Sequence, residues 1–386
     1  MGLSYCKDNC KNDCFLEYCC PKTKSIKSQF KDFELLIGLK YNESLPELNA
    51  ILQCLCHIRV LADYFKYYFE EKIEKISSYN SSKKNGLCIT DEFKDIIEKI
   101  WPNNLEQTIL SKEENSDKFL KMLFKIFSED NINGNCCLLE LILNRLHEEL
   151  NEPNSNNDDY EQNINIDKSN YNSVMNDYVN KFKKENKSKI SDNFFGTLLS
   201  IASCPYCQGY KYYPEKFSYL SFSLNEVLTH KLKCLQCYNK LYNGFNSFDY
   251  NIYEINIYDC LQYEQCPKLL KCKECSKENV YTKKEIMASP LIFIFIFNAM
   301  NLGFTKYKIM DNINIGKIVT SKGNNNVYNL IGVIFKTLDN KYQAYCKSPI
   351  NNKWYYYGDS NVQQINDIQT LFNNYNYPYM LFYKNS

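Results

Sequence analysis

Apolar positions change their period about halfway along the chain. Between residues 31 and 150 they recur at intervals of three and four, which is one face of a helix. Leu48, Ile51, Leu52, Leu55, Ile58, Ala62 and Phe65 make the first such stripe. Ser44 and Glu47 precede it in capping-box spacing, and Pro46 falls in the first turn, where a missing N–H does no harm. Further helices are predicted over Tyr64–Ile76, Asp91–Trp101, Lys118–Phe127 and Cys136–Leu150, with a polar break at Ser77–Gly86. Residues 151–192 carry too few apolar side chains to order themselves, and a flexible insertion is predicted there. From Asn193 the texture alternates aromatic and polar, as strands do. Leu291–Phe297 predicts a strand buried on both faces. Tyr328–Phe335, Tyr342–Lys347, Trp354–Tyr357 and Tyr379–Tyr383 predict an antiparallel series, giving an α+β fold.

Composition narrows the function. A chain of 386 residues buries an ample core, and its net charge of +1 gives no electrostatic pull toward nucleic acid or acidic membranes. The longest apolar run, Leu291–Phe297, is too short to span a bilayer, and no apolar signal segment is present. Nineteen cysteines in this setting read as reduced thiols and metal ligands of an intracellular protein, nuclear or cytoplasmic. Five of them (Cys6, Cys10, Cys14, Cys19, Cys20) sit in residues 1–30, a disordered thiol-rich tail or a metal-holding face.

Two CxxC pairs carry the clearest chemistry. Cys204 and Cys207, then Cys272 and Cys275, are spaced as knuckles that place four thiolates around one Zn²⁺. A third pair, Cys234 and Cys237, competes as a knuckle or stands as free thiols.

The stretch Gly38–Leu55 resembles the cysteine box of the ubiquitin-specific proteases, G-L-x-N-x-G-N-T-C-Y-M-N-S-x-L-Q-x-L. Gly38, Leu39, Asn49, Leu52, Gln53 and Leu55 agree with it. Leu146-His147-Glu148-Glu149-Leu150 resembles the end of the family's second box, whose opening acidic residues are replaced by Gly134 and Cys137. Tyr342-Gln343-Ala344-Tyr345 and Asp359-Ser360-Asn361-Val362 follow its closing pattern. The resemblance implies a papain-like fold over residues 31–386: a helical thumb (31–150), the flexible insertion (151–192), β fingers with a zinc ribbon (193–290) and an antiparallel β palm (291–386). It also favours Cys204, Cys207, Cys272 and Cys275 as the structural zinc ligands.

The same alignment removes the family's chemistry. Its nucleophilic cysteine falls on Pro46, its oxyanion-hole asparagine on Tyr41, its general-base histidine on Lys341 and its third triad member on Gly358. Asp359, beside the last, is retained. Proline offers no nucleophile, a lysine of reference pKa ~10.4 cannot accept a proton at neutral pH, and glycine orients nothing. Cys54, eight residues past Pro46, lies ~12 Å along a helix, too far to share the pocket. Cys56 and His57 are adjacent on a helix and point apart, so they form no dyad; His57 and His147 read as structural. The resemblance therefore implies a pseudoenzyme that binds ubiquitin, a ubiquitin-like protein or the subunits of a protein assembly as a scaffold, without direct nucleic-acid or membrane contact. The alternative is an active thiol isopeptidase with a non-standard nucleophile.

Overall fold

The structure, a computed structural model, describes residues 37–386 apart from 41, 103–112, 115, 129–131, 133–136, 153–169, 208, 242–253, 274, 279, 299–305, 320–325, 338, 359, 367 and 370–376. The cysteine-rich tail, Tyr41, Gly134 and Asp359 lie outside the described residues.

Amphipathic sequence builds the first half as helices. After the short β1 (Gly38–Leu39) comes α1 (Leu48–Cys56), every residue of which is buried. The chain then breaks at His57 and Ile58 and continues as α2 (Arg59–Asp63), a π-helical turn (Tyr64–Tyr68) and α3 (Phe69–Ile73). The predicted polar break is instead a helix, α4 (Ser77–Lys84), anchored by one buried side chain, Tyr79. Then follow α5 (Ile89–Ile100), α6 (Asp117–Ile126) and α7 (Leu138–Leu150), close to their predicted bounds. β1 pairs in parallel with β2 (Glu113–Glu114).

Glu149 locks this bundle. Its fully buried carboxylate accepts the Ile89 and Thr90 amides at 3.1 and 2.9 Å, the Thr90 hydroxyl at 2.6 Å and the Arg145 Nε at 2.7 Å. It thereby caps the N-terminus of α5, where backbone donors have no partner of their own. The Cys88 thiol also donates to it, and burial pushes that thiol up to about 12.

Where residues 151–192 are described, helices correct the expectation of a flexible insertion. Residues 171–185 and 189–194 are helices, α8 (Tyr171–Glu185) and α9 (Lys189–Phe194), each started by a side-chain cap, Asn170 and Ser188. Val174 anchors α8, and Tyr171 meets Tyr212 edge-on at 5.5 Å. Sparse apolar content was enough because the neighbouring sheet supplies the rest of the contact.

Two larger sheets make most of the second half, beside a short parallel pair of β6 (Glu254–Ile255) with β10 (Lys306–Tyr307). The smaller has the order β4–β3–β8–β7, all antiparallel: β3 (Gly196–Ser203), β4 (Tyr210–Phe217), β7 (Lys268–Leu270) and β8 (Val280–Ala288). The larger runs β15–β14–β13–β12–β16–β9–β5, with β11 (Asn312–Asn314) also paired to β12. Its members are β5 (Leu220–Ser223), β9 (Ile292–Asn298), β12 (Val327–Lys336), β13 (Tyr342–Lys347), β14 (Trp354–Gly358), β15 (Asn361–Ile365) and β16 (Met380–Asn385). Within residues 291–386 the strands of this sheet pair antiparallel, as expected, and β5, from outside that range, joins the edge strand β9 in parallel. Between β5 and β7 stand α10 (Leu224–Leu241), the short β6 (Glu254–Ile255) and α11 (Ile257–Gln265).

Helix α1 lies on β12 and β13. Gly332 lets it approach: a Cβ there would meet Cys54 Sγ at 3.4 Å and Phe382 at 3.4 Å. The register of β12 against β16 shifts at this point, between Leu330 and Gly332.

Candidate functional site

The box residues that agree with the family hold α1 in place. Asn49 Nδ2 donates to the carbonyls of Leu39 and Lys40 at 3.3 and 2.8 Å, and its Oδ1 accepts the Ser116 hydroxyl at 2.8 Å. Gln53 Nε2 donates to the Ile37 carbonyl at 3.0 Å. These bonds pin the segment just before Tyr41 to the helix face, as a loop-borne site requires.

The start of α1 corrects the capping-box expectation. The helix begins at Leu48, Glu47 is its N-cap without a side-chain cap, and Ser44 is exposed with its amide on Asn42 Oδ1. Pro46 therefore sits in the turn before the helix, half-buried. The Glu47 carboxylate is used elsewhere: it accepts the Tyr379 hydroxyl at 2.8 Å. Burial raises the Glu47 pKa, while the Tyr379 bond and the Lys336 charge pull it back. The Tyr379 ring packs edge-on against Tyr342 at 5.0 Å, and burial beside Glu47 pushes the Tyr342 hydroxyl up to about 12.

Tyr342 opens β13, and Lys341 precedes it. Lys341 is exposed, with Nζ 3.3 Å from Asp339 in the β12–β13 turn. Gly358 ends β14 opposite Asn361. A Cβ at Gly358 would overlap the Tyr356 hydroxyl, so a neighbouring ring occupies the direction in which a side chain would leave. The turn before α1, the β12–β13 turn and the β14 end thus present a carboxylate–tyrosine pair, a surface ion pair and a tyrosine ring.

One layer beneath is a cluster that sequence reading missed. Cys54 of α1 and Cys346 of β13 bring their sulfurs to 3.7 Å. His57 Nδ1 donates to the Gln53 carbonyl at 2.7 Å, which leaves Nε2 facing the Tyr357 hydroxyl at 2.8 Å. Burial raises Cys346, but its hydrogen bond with Cys54 and the nearby His57 imidazole outweigh it and draw the thiol down to about 6. Cys54 is held well above its usual range by burial. Cys54, Cys346, His57 and Tyr357 are between 0 and 5% exposed. A sulfur beside an imidazole is therefore present, sealed where no peptide can reach it. Cys56, buried at the end of α1, accepts the Trp101 indole N–H on its carbonyl at 2.9 Å. His147 is also structural, its Nδ1 2.7 Å from the Ser188 hydroxyl.

The four predicted ligands do converge. Cys204–Cys207 follows β3, Cys272–Cys275 precedes β8, and their four sulfurs lie within 4.8 Å of one another. Cys204 to Cys275 is 3.7 Å and Cys207 to Cys272 is 3.8 Å. With Zn–S bonds of about 2.3 Å, the edge of a tetrahedron is about 3.8 Å, so the donor set fits zinc. The Cys275 amide points at Cys272 Sγ, 3.5 Å away, and Ser276 turns the chain with φ of +58°. The crowding thiols push Cys207 up to about 12, which a bound cation would relieve. Cys234 does not join this set: it lies on α10, exposed, against His230.

Comparisons with known proteins agree with this architecture. The family model "Ubiquitin carboxyl-terminal hydrolase" matches residues 47–383, beginning one residue past Pro46. Ubiquitin carboxyl-terminal hydrolase 2 of Bos taurus is 22% identical over 372 residues, covering 92% of this chain and 56% of that protein. Ubiquitin carboxyl-terminal hydrolase Usp2 of Drosophila melanogaster is 23% identical over 363 residues, 88% of this chain and 34% of that protein. The chain thus spans little more than half the length of the first relative. Among solved structures, the yeast SAGA DUBm superposes with a TM-score of 0.57 at 17% identity, covering 91% of this chain and 68% of that one. A SAGA DUB module bound to monoubiquitin superposes at 0.55 with 18% identity, covering 94% and 72%. The match takes in helices, sheets and the surface between them, and the chain belongs to the ubiquitin carboxyl-terminal hydrolase family, as a ubiquitin-specific protease domain.

Proposed function

We propose that this protein is a pseudo-deubiquitinase: it holds ubiquitin or a ubiquitin-like protein between thumb, palm and fingers, or scaffolds a protein assembly, without cutting. Its setting on this reading is intracellular, nuclear or cytoplasmic, and among the described residues no helix is long and apolar enough to cross a membrane. The fingers hold one structural Zn²⁺ on Cys204, Cys207, Cys272 and Cys275. Because protein closes all four positions, the ion stabilises and does not react.

The observation that carries the reading is the surface above α1. Thiol proteolysis needs a reachable thiolate with a base beside it. The resemblance puts the nucleophile at Pro46 and the base at Lys341, and those positions hold a turn and a surface ion pair. The nearest described sulfur–imidazole cluster is sealed. The solved relative bound to monoubiquitin supports ubiquitin as the occupant of such a fold.

A ubiquitin probe with a C-terminal electrophile tests this directly. The expected result is no adduct, together with micromolar association of free ubiquitin by calorimetry. An adduct, mapped to any cysteine, overturns the reading in favour of the active isopeptidase. No adduct and no heat restricts the protein to the scaffold role.

A further inference from the structure

Beneath the candidate site, two thiols meet across the joint between α1 and the larger sheet. Cys346 stands on β13 directly opposite Gly332 of β12, which has no side chain to fill the space above it. Cys54 of α1 descends into that space. Its Sγ is 3.4 Å from where a Cβ on Gly332 would lie and 3.7 Å from Cys346 Sγ. The sulfurs are in contact, and each is carried by a regular element and not by a loop. The two thiols are also chemically unequal. Their mutual hydrogen bond and the His57 imidazole favour a thiolate on Cys346, while burial keeps the proton on Cys54. A thiolate with a protonated thiol against it is the pairing that converts an oxidised sulfur into a disulfide.

We propose that Cys54 and Cys346 form a reversible disulfide with hydrogen peroxide as the oxidant, stapling α1 to β13. The Cys346 thiolate attacks one peroxide oxygen: an S–O bond forms, the O–O bond breaks and hydroxide leaves, taking up the proton that Cys346 had released. The Cys54 sulfur then attacks the Cys346 sulfur, the S–O bond breaks, and the oxygen departs as water with the Cys54 proton. The two sulfurs together lose two electrons, peroxide gains them, and the products are one disulfide and two waters. Peroxide is little larger than water, so local opening of the joint admits it where a peptide is shut out. Closing the bond takes the sulfurs from contact to about 2.0 Å by rotation of the two side chains. Because the linked positions are 292 apart, the cross-link closes most of the chain into one loop and restricts chiefly the unfolded state. Helix α1 also carries Asn49 and Gln53, which pin the Ile37–Lys40 segment, so the staple steadies the surface above it.

The staple is independent of whether the protein binds or cuts ubiquitin. The test treats the full wild-type chain, purified with zinc supplied, with graded hydrogen peroxide. The protein is then alkylated in denaturant, digested without reductant and mapped by mass spectrometry. A linked Cys54–Cys346 peptide pair is expected to replace the two alkylated peptides and to vanish after dithiothreitol. Cys260, equally buried on α11, should stay alkylated over the same range and serves as the internal control. Thermal unfolding gives a second reading: Tm should rise on oxidation and return on reduction, and Cys54→Ala should show neither the linked pair nor the rise. Cys346 still alkylated after Cys260 has begun to oxidise overturns the proposal. So does Cys346 linked to Cys56, or carried to the sulfinic acid without a link. A linked pair that leaves Tm unchanged overturns the stapling.

Discussion

Glu149 shows how much of this fold can depend on one side chain. It is a buried carboxyl group with no exposure, compensated by donors from the start of α5, from the Cys88 thiol and from Arg145. Replacing it removes the acceptor while leaving the Arg145 guanidinium and two amides buried without it. Breaking such a pair from one side costs about 3–5 kcal/mol. Glu149→Leu should lower stability by that amount in urea titration, whereas Glu148→Leu, at an exposed neighbour, should change it little. A residue-by-residue reading of the sequence saw the LHEEL ending of the helix but not this role, because the partners lie some sixty positions upstream. Cys346 was missed for the same reason on a larger scale: its partner Cys54 is 292 positions away. Pro46, Lys341 and Gly358 needed no such partner to be noticed, since the family pattern around them is local.

At the level of elements, legibility followed amphipathicity. α5, α6 and α7 fell close to their predicted bounds because each carries a full apolar stripe. α4 and α8 escaped because one buried side chain apiece, Tyr79 and Val174, suffices once a neighbour covers it. The start of α1 was misplaced because Glu47 spends its carboxylate on Tyr379 instead of on the helix amides. The four-cysteine cluster was legible from C-x-x-C spacing together with the family pattern, which favoured it over Cys234 and Cys237, and it is also the least self-supporting element. Apart from its cysteines, the core at its tip consists of Val280 with Ala202 packed beside it. With the proposed zinc bound, a module so thin holds together by metal more than by burial. Cys272→Ser, or a strong chelator, should therefore release amide protection around both knuckles in hydrogen exchange. Strands β12, β13 and β16, whose core is independent of the ribbon, should keep theirs.

Across the whole molecule, the helical half and the entry to the smaller sheet meet at His147. Its ring bonds Ser188, the cap of α9, and stacks edge-on with Phe195 at 4.9 Å where the chain enters β3. Burial, helped by the Lys216 charge, lowers its pKa from 6.5 to about 4. Between those values the unfolded chain takes up a proton that the folded chain refuses, so stability falls as pH drops through this window. Above 6.5 the contribution is complete. Urea midpoints followed from about pH 7 to about pH 4.5 should decline more shallowly in His147→Gln than in wild type. An equal slope in the two proteins would remove His147 from the seam's pH response. The joint between α1 and the larger sheet is of another kind, built on the sealed sulfur pair of α1 and β13 with Gly332 admitting the helix. That hinge-pin belongs to the masonry below the workbench, and its strength is indifferent to which tools lie on top. A domain assembled in this way can exchange its chemical equipment piece by piece and keep the same grip.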